Sequence, residues 1–234
     1  MEKGKLIYEG KAKKLFETSD PDLIIQYFKD DATAFNAQKR GIIEGKGIVN
    51  NKMSARLFAL LEEASIPTHF VKQLSDREML VKRLKILPVE VVVRNIIAGS
   101  LAKRLGIEEG RIAPFPIVEF YYKNDALGDP MIIEDHILAL GLATEVETQT
   151  MKDYALMINN ALRKFFDERD IILVDFKLEF GVHNGEVLLG DEIAPDTCRL
   201  WDKETMEKLD KDRFRRDLGK IEDAYQEVLK RVMK

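Results

Sequence analysis

In the stretch 171–196, IILVDFKLEFGVHNGEVLLGDEIAPD, the charged residues Asp175, Lys177 and Glu179 alternate with Val174, Phe176, Leu178 and Phe180. A period of two is the period of a β-strand, so one face would carry two carboxylates and an ammonium group while the other enters the core. Asn184-Gly185 then turns the chain into a hairpin, because such turns need positive φ, and the returning strand brings Asp191 and Glu192. Glu179 and Asp191 on neighbouring strands make a hard-oxygen site suited to Mg²⁺ and to the phosphate oxygens that Mg²⁺ accepts. Lys177 can offset charge on a transferred phosphoryl group. Register decides whether this site forms. A strict two-residue loop sets Glu179 opposite Gly190 and turns Asp191 to the apolar face. The sequence therefore predicts either a three-residue loop, His183 to Gly185, or a bulge at Gly190. A hairpin with a solvated charged face shows the same alternation. Asp196 and Arg199 follow in a Pro-containing loop, however, and this density of ionisable groups favours a site.

Two further segments can bind anions. Gly10-Lys11-Ala12-Lys13, between apolar clusters, offers backbone N–H groups and two ammonium groups to a polyphosphate. It lacks Walker spacing, and a plain basic turn reads the same way. Arg94 to Ser100 runs from a buried strand into a short helix, Leu101 to Leu105, with Ser100 as the expected N-cap. Free N–H groups there, with Arg94 and Arg199, suit a dianionic monophosphate. His69, His136 and His183 show no metal-ligand spacing and receive no role. Cys198 reads as a packing residue rather than a nucleophile.

These residues need a scaffold. Apolar clusters at Leu6 to Tyr8, Leu15-Phe16 and Leu23 to Phe28 predict an antiparallel meander. Val49, Met53, Leu57, Leu60, Leu61 and Ala64 predict a helix packed on it. Met79 to Lys82 and Val89 to Val93 read as buried strands, with Leu87-Pro88 as a crossing between lobes and a boundary near Arg83. A helix is expected from Gln149 to Arg169. Another closes the chain on a stripe of Phe214, Leu218, Ile221, Tyr225, Val228 and Val232. The expected fold class is α+β, in two lobes, 1–83 and 84–234, with a cleft between them.

Composition narrows the function classes. The 234 residues include 37 Lys and Arg against 41 Asp and Glu, so no general polyanion-binding surface is indicated and no nucleic-acid partner is expected. No apolar run approaches the roughly 20 residues of a membrane span. One cysteine and an N-terminus without an apolar leader lead to the expectation of a cytoplasmic protein.

Taken together, YEGKAKKLF, KGIVNNKMSARLF, VVVRNIIAGSLAKRLGIEEG, KNDALGDPMI, ILVDFKLEFG, GDEIAPDTCRLWDKE and DKDRFRRDLG resemble the SAICAR synthetase family, from about Tyr8 to Asp217. The resemblance implies two α+β lobes related to ATP-grasp and kinase-like folds, ATP between them, Mg²⁺, and a homodimer. It implies ligation of L-aspartate to a carboxylated aminoimidazole ribotide with release of ADP and phosphate. By position, Gly10, Lys11, Ala12 and Lys13 would cover the phosphates, and the backbone around Lys82 and Leu84 would hold adenine. Glu179 and Asp191 would hold Mg²⁺, and Arg94, Ser100 and Arg199 the ribotide phosphate. Asp175 and Lys177 would lie beside the reacting carboxylate, with Lys123, Asp129 and Arg215 orienting aspartate or phosphate. Thr197-Cys198 departs from the family's Gly-Ser before Arg-Leu-Trp, which bears on loop shape only. A kinase-like phosphotransferase is the chief alternative, since Asp175-Phe176-Lys177 resembles Asp-Phe-Gly, but no His-Arg-Asp or Gly-x-Gly-x-x-Gly element accompanies it. A binding module without turnover is the third reading.

Overall fold

A computed structural model of the chain describes residues 2–34 and 39–234. The strands β1 (Leu6–Glu9), β2 (Lys13–Glu17) and β3 (Leu23–Phe28) form the expected meander. The pair β4 (Asp31–Ala34) and β5 (Lys39–Ile42) and the helix α1 (Lys46–Glu63) follow. With β6 (Phe70–Gln73) and β7 (Glu78–Lys82) the meander completes an antiparallel sheet in the order β1-β2-β3-β7-β6. Val49, Met53, Leu57 and Leu61 of α1 are fully buried, and the helix packs on β3 and β6 as its spacing predicts.

A second antiparallel sheet starts at β8 (Lys85–Ile96) and continues with β9 (Ile112–Tyr122), β10 (Met131–Ile132), β11 (Ile171–His183) and β12 (Glu186–Leu189). Its order is β10-β9-β8-β11-β12, and β13 (Cys198–Asp202) also pairs with β11. Leu87-Pro88, which the sequence set between two strands as the crossing between lobes, is part of β8 itself. The ladder to β11 slips between Glu179 and Gly181, and an irregular pairing is where a strand accommodates a residue without an N–H.

Helix α2 (Gly99–Leu105) joins β8 to β9, while α3 (Glu134–Ala139) and α4 (Glu145–Asp167) precede β11. The start of α4 lies before the expected Gln149. Thr144 caps it reciprocally with Glu147, a Thr-x-x-Glu box that apolar spacing alone does not reveal. Its stripe of Met151, Ala155, Ile158 and Leu162 is fully buried and packs against β11. There it meets Phe176, Leu178 and Phe180, each at 1% exposure or less, and each such side chain contributes about 1.5–3 kcal/mol. The single closing helix is corrected to two, α5 (Asp212–Arg215) and α6 (Ile221–Val232). Asp217, Gly219 and Lys220 all take positive φ between them, which no right-handed helix allows. Leu218 is consequently exposed, at 47%. Among the described residues, no helix is long and apolar enough to cross a membrane.

Candidate active site

The β11–β12 hairpin has the register that the sequence reading set aside. His183 pairs with Glu186, leaving a two-residue loop in which Asn184 and Gly185 have φ of 51° and 85°. The Gly190 amide donates to the Glu179 carbonyl at 2.9 Å, so the ladder passes through Gly190 without a bulge. Asp191 still reaches the charged side because the strand has ended. Its own backbone is left-handed, with φ 58°, and that turn re-aims the carboxylate. Glu179 and Asp191 therefore line the same cavity.

Each carboxylate is matched by lysine. Glu179 accepts from Lys123 and, at 2.7 Å, from Lys177, whose ammonium also reaches Glu90 at 2.6 Å. Burial opposes ionisation of Glu179, but Lys177 and Lys123 outweigh it and hold the acid well below its ordinary range. Lys13 bonds Asp191 and lies 3.7 Å from Glu192. Burial works against its charge, and those carboxylates more than restore it. Glu192 itself is pushed up by burial, and its Oε2 has no hydrogen-bond partner. Among the described residues, no three His, Cys, Asp or Glu side chains converge to hold a metal by themselves. Two carboxylates that already attract ammonium groups fit Mg²⁺, which takes one or two protein carboxylates and completes its shell from phosphates and water.

A second cluster forms around Asp175. In the sheet it lies opposite Arg94 of β8 and Arg199 of β13. Arg94 is buried and donates to Asp175 at 2.9 Å, Glu119 at 2.7 Å, Tyr121 at 3.1 Å and Ser100 at 3.2 Å. Ser100 is thus not the N-cap of α2, as expected. Ala98 occupies that position without a side-chain bond, because α2 begins at Gly99 and places the hydroxyl over Arg94. Arg199 donates to both oxygens of Asp175, at 2.8 and 2.6 Å, and to Asp212 at 2.7 Å. Gly99 makes this arrangement possible: its φ is +55°, and a Cβ there would stand 2.6 Å from Arg199 Nη2.

Three cavities adjoin: the first and second share Tyr8, Lys13, Lys123, Glu179 and Asp191, and the second and third share Lys177, Asp196, Thr197 and Arg215. The first, about 340 Å³, has apolar walls from Leu15, Ile24, Val81, Leu84 and Ile86, and Lys82 at its edge. The second, about 380 Å³, is lined by Gly10, Lys11, Ala12, Lys13, Lys123, Asp129, Lys177, Glu179, Asp191 and Arg215. The third, about 190 Å³, is lined by Arg94, Ser100, Asp175, Lys177, Arg199 and Arg215. All the residues singled out in the sequence thus lie along one cleft.

Other residues of the cleft escaped the sequence reading. Glu90 shares a face with Arg94, four positions along the same strand, and the period of two could have found it. Glu119 and Tyr121, outside the three cavities, repeat that period on β9 and hold Arg94. His69 gave no signal, yet it lines the first cavity, 4% exposed, with burial first and then the charges of Lys13 and Lys82 lowering its pKa to about 3. Lys211 lines the second cavity, beside Asp196, which the sequence reading had counted only toward the local density of charge. Cys198 is buried and its thiol pushed up, in keeping with a packing role.

The SAICAR synthetase family model matches residues 6–232 of the chain. The phosphoribosylaminoimidazole-succinocarboxamide synthase of Chloroherpeton thalassium is 61% identical over 233 residues, covering 100% of this chain and 99% of its own. That of Desulfitobacterium hafniense is 61% identical over 232 residues, covering 99% and 98%. Among solved structures, the synthase of Ehrlichia chaffeensis superposes with a TM-score of 0.96 at 50% identity, covering 97% of this chain and 98% of the other. A SAICAR synthetase in complex with ADP superposes with a TM-score of 0.93 at 49% identity, covering 96% of each. With residues from six of the seven strings lining the three cavities and full-length agreement in sequence and fold, the chain belongs to the SAICAR synthetase family and is a ligase of purine biosynthesis.

Proposed function

We propose that the cleft joins L-aspartate to the carboxylate of an aminoimidazole ribotide at the expense of ATP, through an acyl phosphate. The observation that carries this reading is the order of the three cavities: an apolar slot, a lysine-rich middle and an arginine pocket in one line. That order suits a base, a reacting centre and a sugar phosphate. The ADP bound by a relative at 49% identity supports a nucleotide in the slot. The division into lobes 1–83 and 84–234, with ATP between them, belongs to this reading.

A carboxylate is a poor acyl donor until one of its oxygens becomes a leaving group. In the proposed sequence the ribotide carboxylate attacks the γ-phosphate and ADP departs. The aspartate amine then attacks the acyl carbon and phosphate departs. The backbone at Lys82 and Leu84 would hold adenine, and Gly10, Lys11, Ala12 and Lys13 would cover the phosphates. Arg94, Ser100 and Arg199 would grip the ribotide phosphate bidentately. Lys123 and Lys177 face the oxygens on which charge grows, and fixed cations in a water-poor cleft stabilise that charge without reorganisation. Asp175 holds the two arginines in register and lies beside Lys177. Asp129 and Arg215 would orient the amino acid. Glu179 and Asp191 would hold Mg²⁺, which when bound neutralises phosphoryl charge.

A homodimer in the cytoplasm completes the reading, supported by the family resemblance. The test is ADP release with Mg²⁺-ATP, supplying ribotide and L-aspartate separately and together. Release that needs both, with the succinocarboxamide seen by mass, is expected. Release without aspartate would replace the ligase with a phosphotransferase.

A further inference from the structure

The Asp191 carboxylate reaches the second cavity through a left-handed backbone, with φ 58°. Residues other than glycine keep that conformation only where their surroundings fix it. The β11–β12 ladder ends just before Asp191, at the bond from the Gly190 amide to the Glu179 carbonyl. The segment's own side-chain contacts come after it, where the Thr197 hydroxyl donates to the Glu192 carbonyl at 3.3 Å and accepts from the Ala194 amide at 3.1 Å. Lys13 pairs with the Asp191 carboxylate, but an ion pair made by two flexible side chains does not select a backbone angle.

Two buried side chains of the first sheet and its helix supply the selection. Gln26 of β3, 4% exposed, donates from Nε2 to the Asp191 carbonyl at 3.1 Å. Ser54 of α1 is fully buried, and its hydroxyl accepts from the Ile193 amide at 3.2 Å and donates to the Ile193 carbonyl at 3.1 Å. Ser54 thus does for Ile193 what a neighbouring strand would do, two residues after the left-handed turn. Ile193 is also fully buried, so a shift of the segment would strand an amide and a carbonyl away from water. Lys46, about two turns before Ser54 on α1, holds Asp196 at the far end of the segment at 2.9 Å. The segment from Asp191 to Asp196 is therefore fastened to β3 and α1, whereas Glu179 belongs to β11 in the second sheet.

We infer that Ser54 and Gln26 are positioning residues that set the place and direction of the Asp191 carboxylate relative to Glu179. Ser54 lines none of the three cavities and acts through the backbone of Ile193; Gln26 also borders the first cavity. The inference rests on the proposed reading in which Glu179 and Asp191 hold Mg²⁺. It makes that site depend on how the first sheet and α1 sit against the second sheet, because the two carboxylates are held by different parts of the fold.

The test uses the full chain and the rise in melting temperature given by ADP as Mg²⁺ is titrated, which needs no turnover. In Ser54→Ala the Mg²⁺ concentration giving half of the metal-dependent rise should increase on the order of tenfold, the usual size of the effect when a group that orients a metal ligand is removed. The rise given by ADP in EDTA should stay as in wild type. Hydrogen exchange over residues 190–196, measured without nucleotide or metal, should quicken, and exchange over α4 should not. Gln26→Leu should change the Mg²⁺ midpoint and the exchange in the same direction and decides the matter if Ser54→Ala does not fold; subtracting the rise in EDTA removes its direct effect on the first cavity. Leu61→Val, a core truncation two turns further along α1, should lower the melting temperature and leave the midpoint at the wild-type value. An equal increase in Leu61→Val, unchanged exchange over 190–196, or an unmoved midpoint in Ser54→Ala would each overturn the inference. A wild-type rise indifferent to Mg²⁺, together with faster exchange in the variants, would remove the metal reading and keep Ser54 and Gln26 as the residues that hold Asp191.

Discussion

Asp175 and Arg199 are cross-strand partners in the β11–β13 ladder, and the Arg199 guanidinium donates to both oxygens of that carboxylate. Asp175 also carries the buried Arg94, so one carboxylate fixes both arginines of the third cavity. Asp175→Asn removes the charge without changing the shape. The expected outcome is a rise in KM for ribotide of at least tenfold and a fall in kcat, with KM for ATP within twofold of wild type. Steady-state kinetics with each substrate varied in turn decide this. A selective loss of ATP binding would move Asp175 to the nucleotide site.

Glu179 stands between Lys123 and Lys177. Glu179→Gln leaves both ammonium groups with less compensation and deletes one anionic ligand. The Mg²⁺ concentration giving half-maximal rate should rise on the order of tenfold or more. Titration of activity against Mg²⁺ at fixed ATP measures it, and an unchanged midpoint would remove Glu179 from the metal site.

Lys46 and Asp196 form a pair with 0% and 3% side-chain exposure. Truncating one member strands the other, at a typical cost of about 3–5 kcal/mol. Lys46→Met is expected to lower stability by an amount in that range, read by urea denaturation. Here Lys211 and Tyr225 still contact Asp196, which favours the lower end. A change below about 0.5 kcal/mol, the size of an ordinary surface substitution, would contradict the buried-pair account.

His69 is held neutral, with its pKa lowered to about 3 from 6.5. Between those values the unfolded chain binds the proton more tightly than the folded one, so this residue's contribution is intact above pH 6.5 and is lost as pH falls toward 3. The slope is about 1.4 kcal/mol per pH unit within that window. His69→Phe should therefore lose less stability than wild type between pH 6.5 and 4, compared by denaturation at each pH. Parallel curves would mean that the ring is already protonated when folded.

Residue types and their alternation were enough to place Asp175, Lys177 and Glu179 on one face of a strand that lines the cavities. Asp175, Lys177 and Glu179 needed only a period of two, and the stripe of α4 only a helical period, because side-chain direction is a local property of the backbone. The family's strings added the family and its place in purine biosynthesis, as those strings are contiguous. The tertiary structure decided whatever depends on a backbone leaving its regular path or on distant segments meeting. Asp191 reaches the side of Glu179 through a left-handed residue after the strand ends, and no hydrophobic pattern encodes that φ. Ser100 meets Arg94 because α2 starts two residues earlier than its polar residue suggested. Lys46, Asp196, Lys211 and Tyr225 are spread from α1 to α6, and their shared charge exists only once burial brings them together, since Coulomb interaction depends on distance and dielectric rather than on order along the chain.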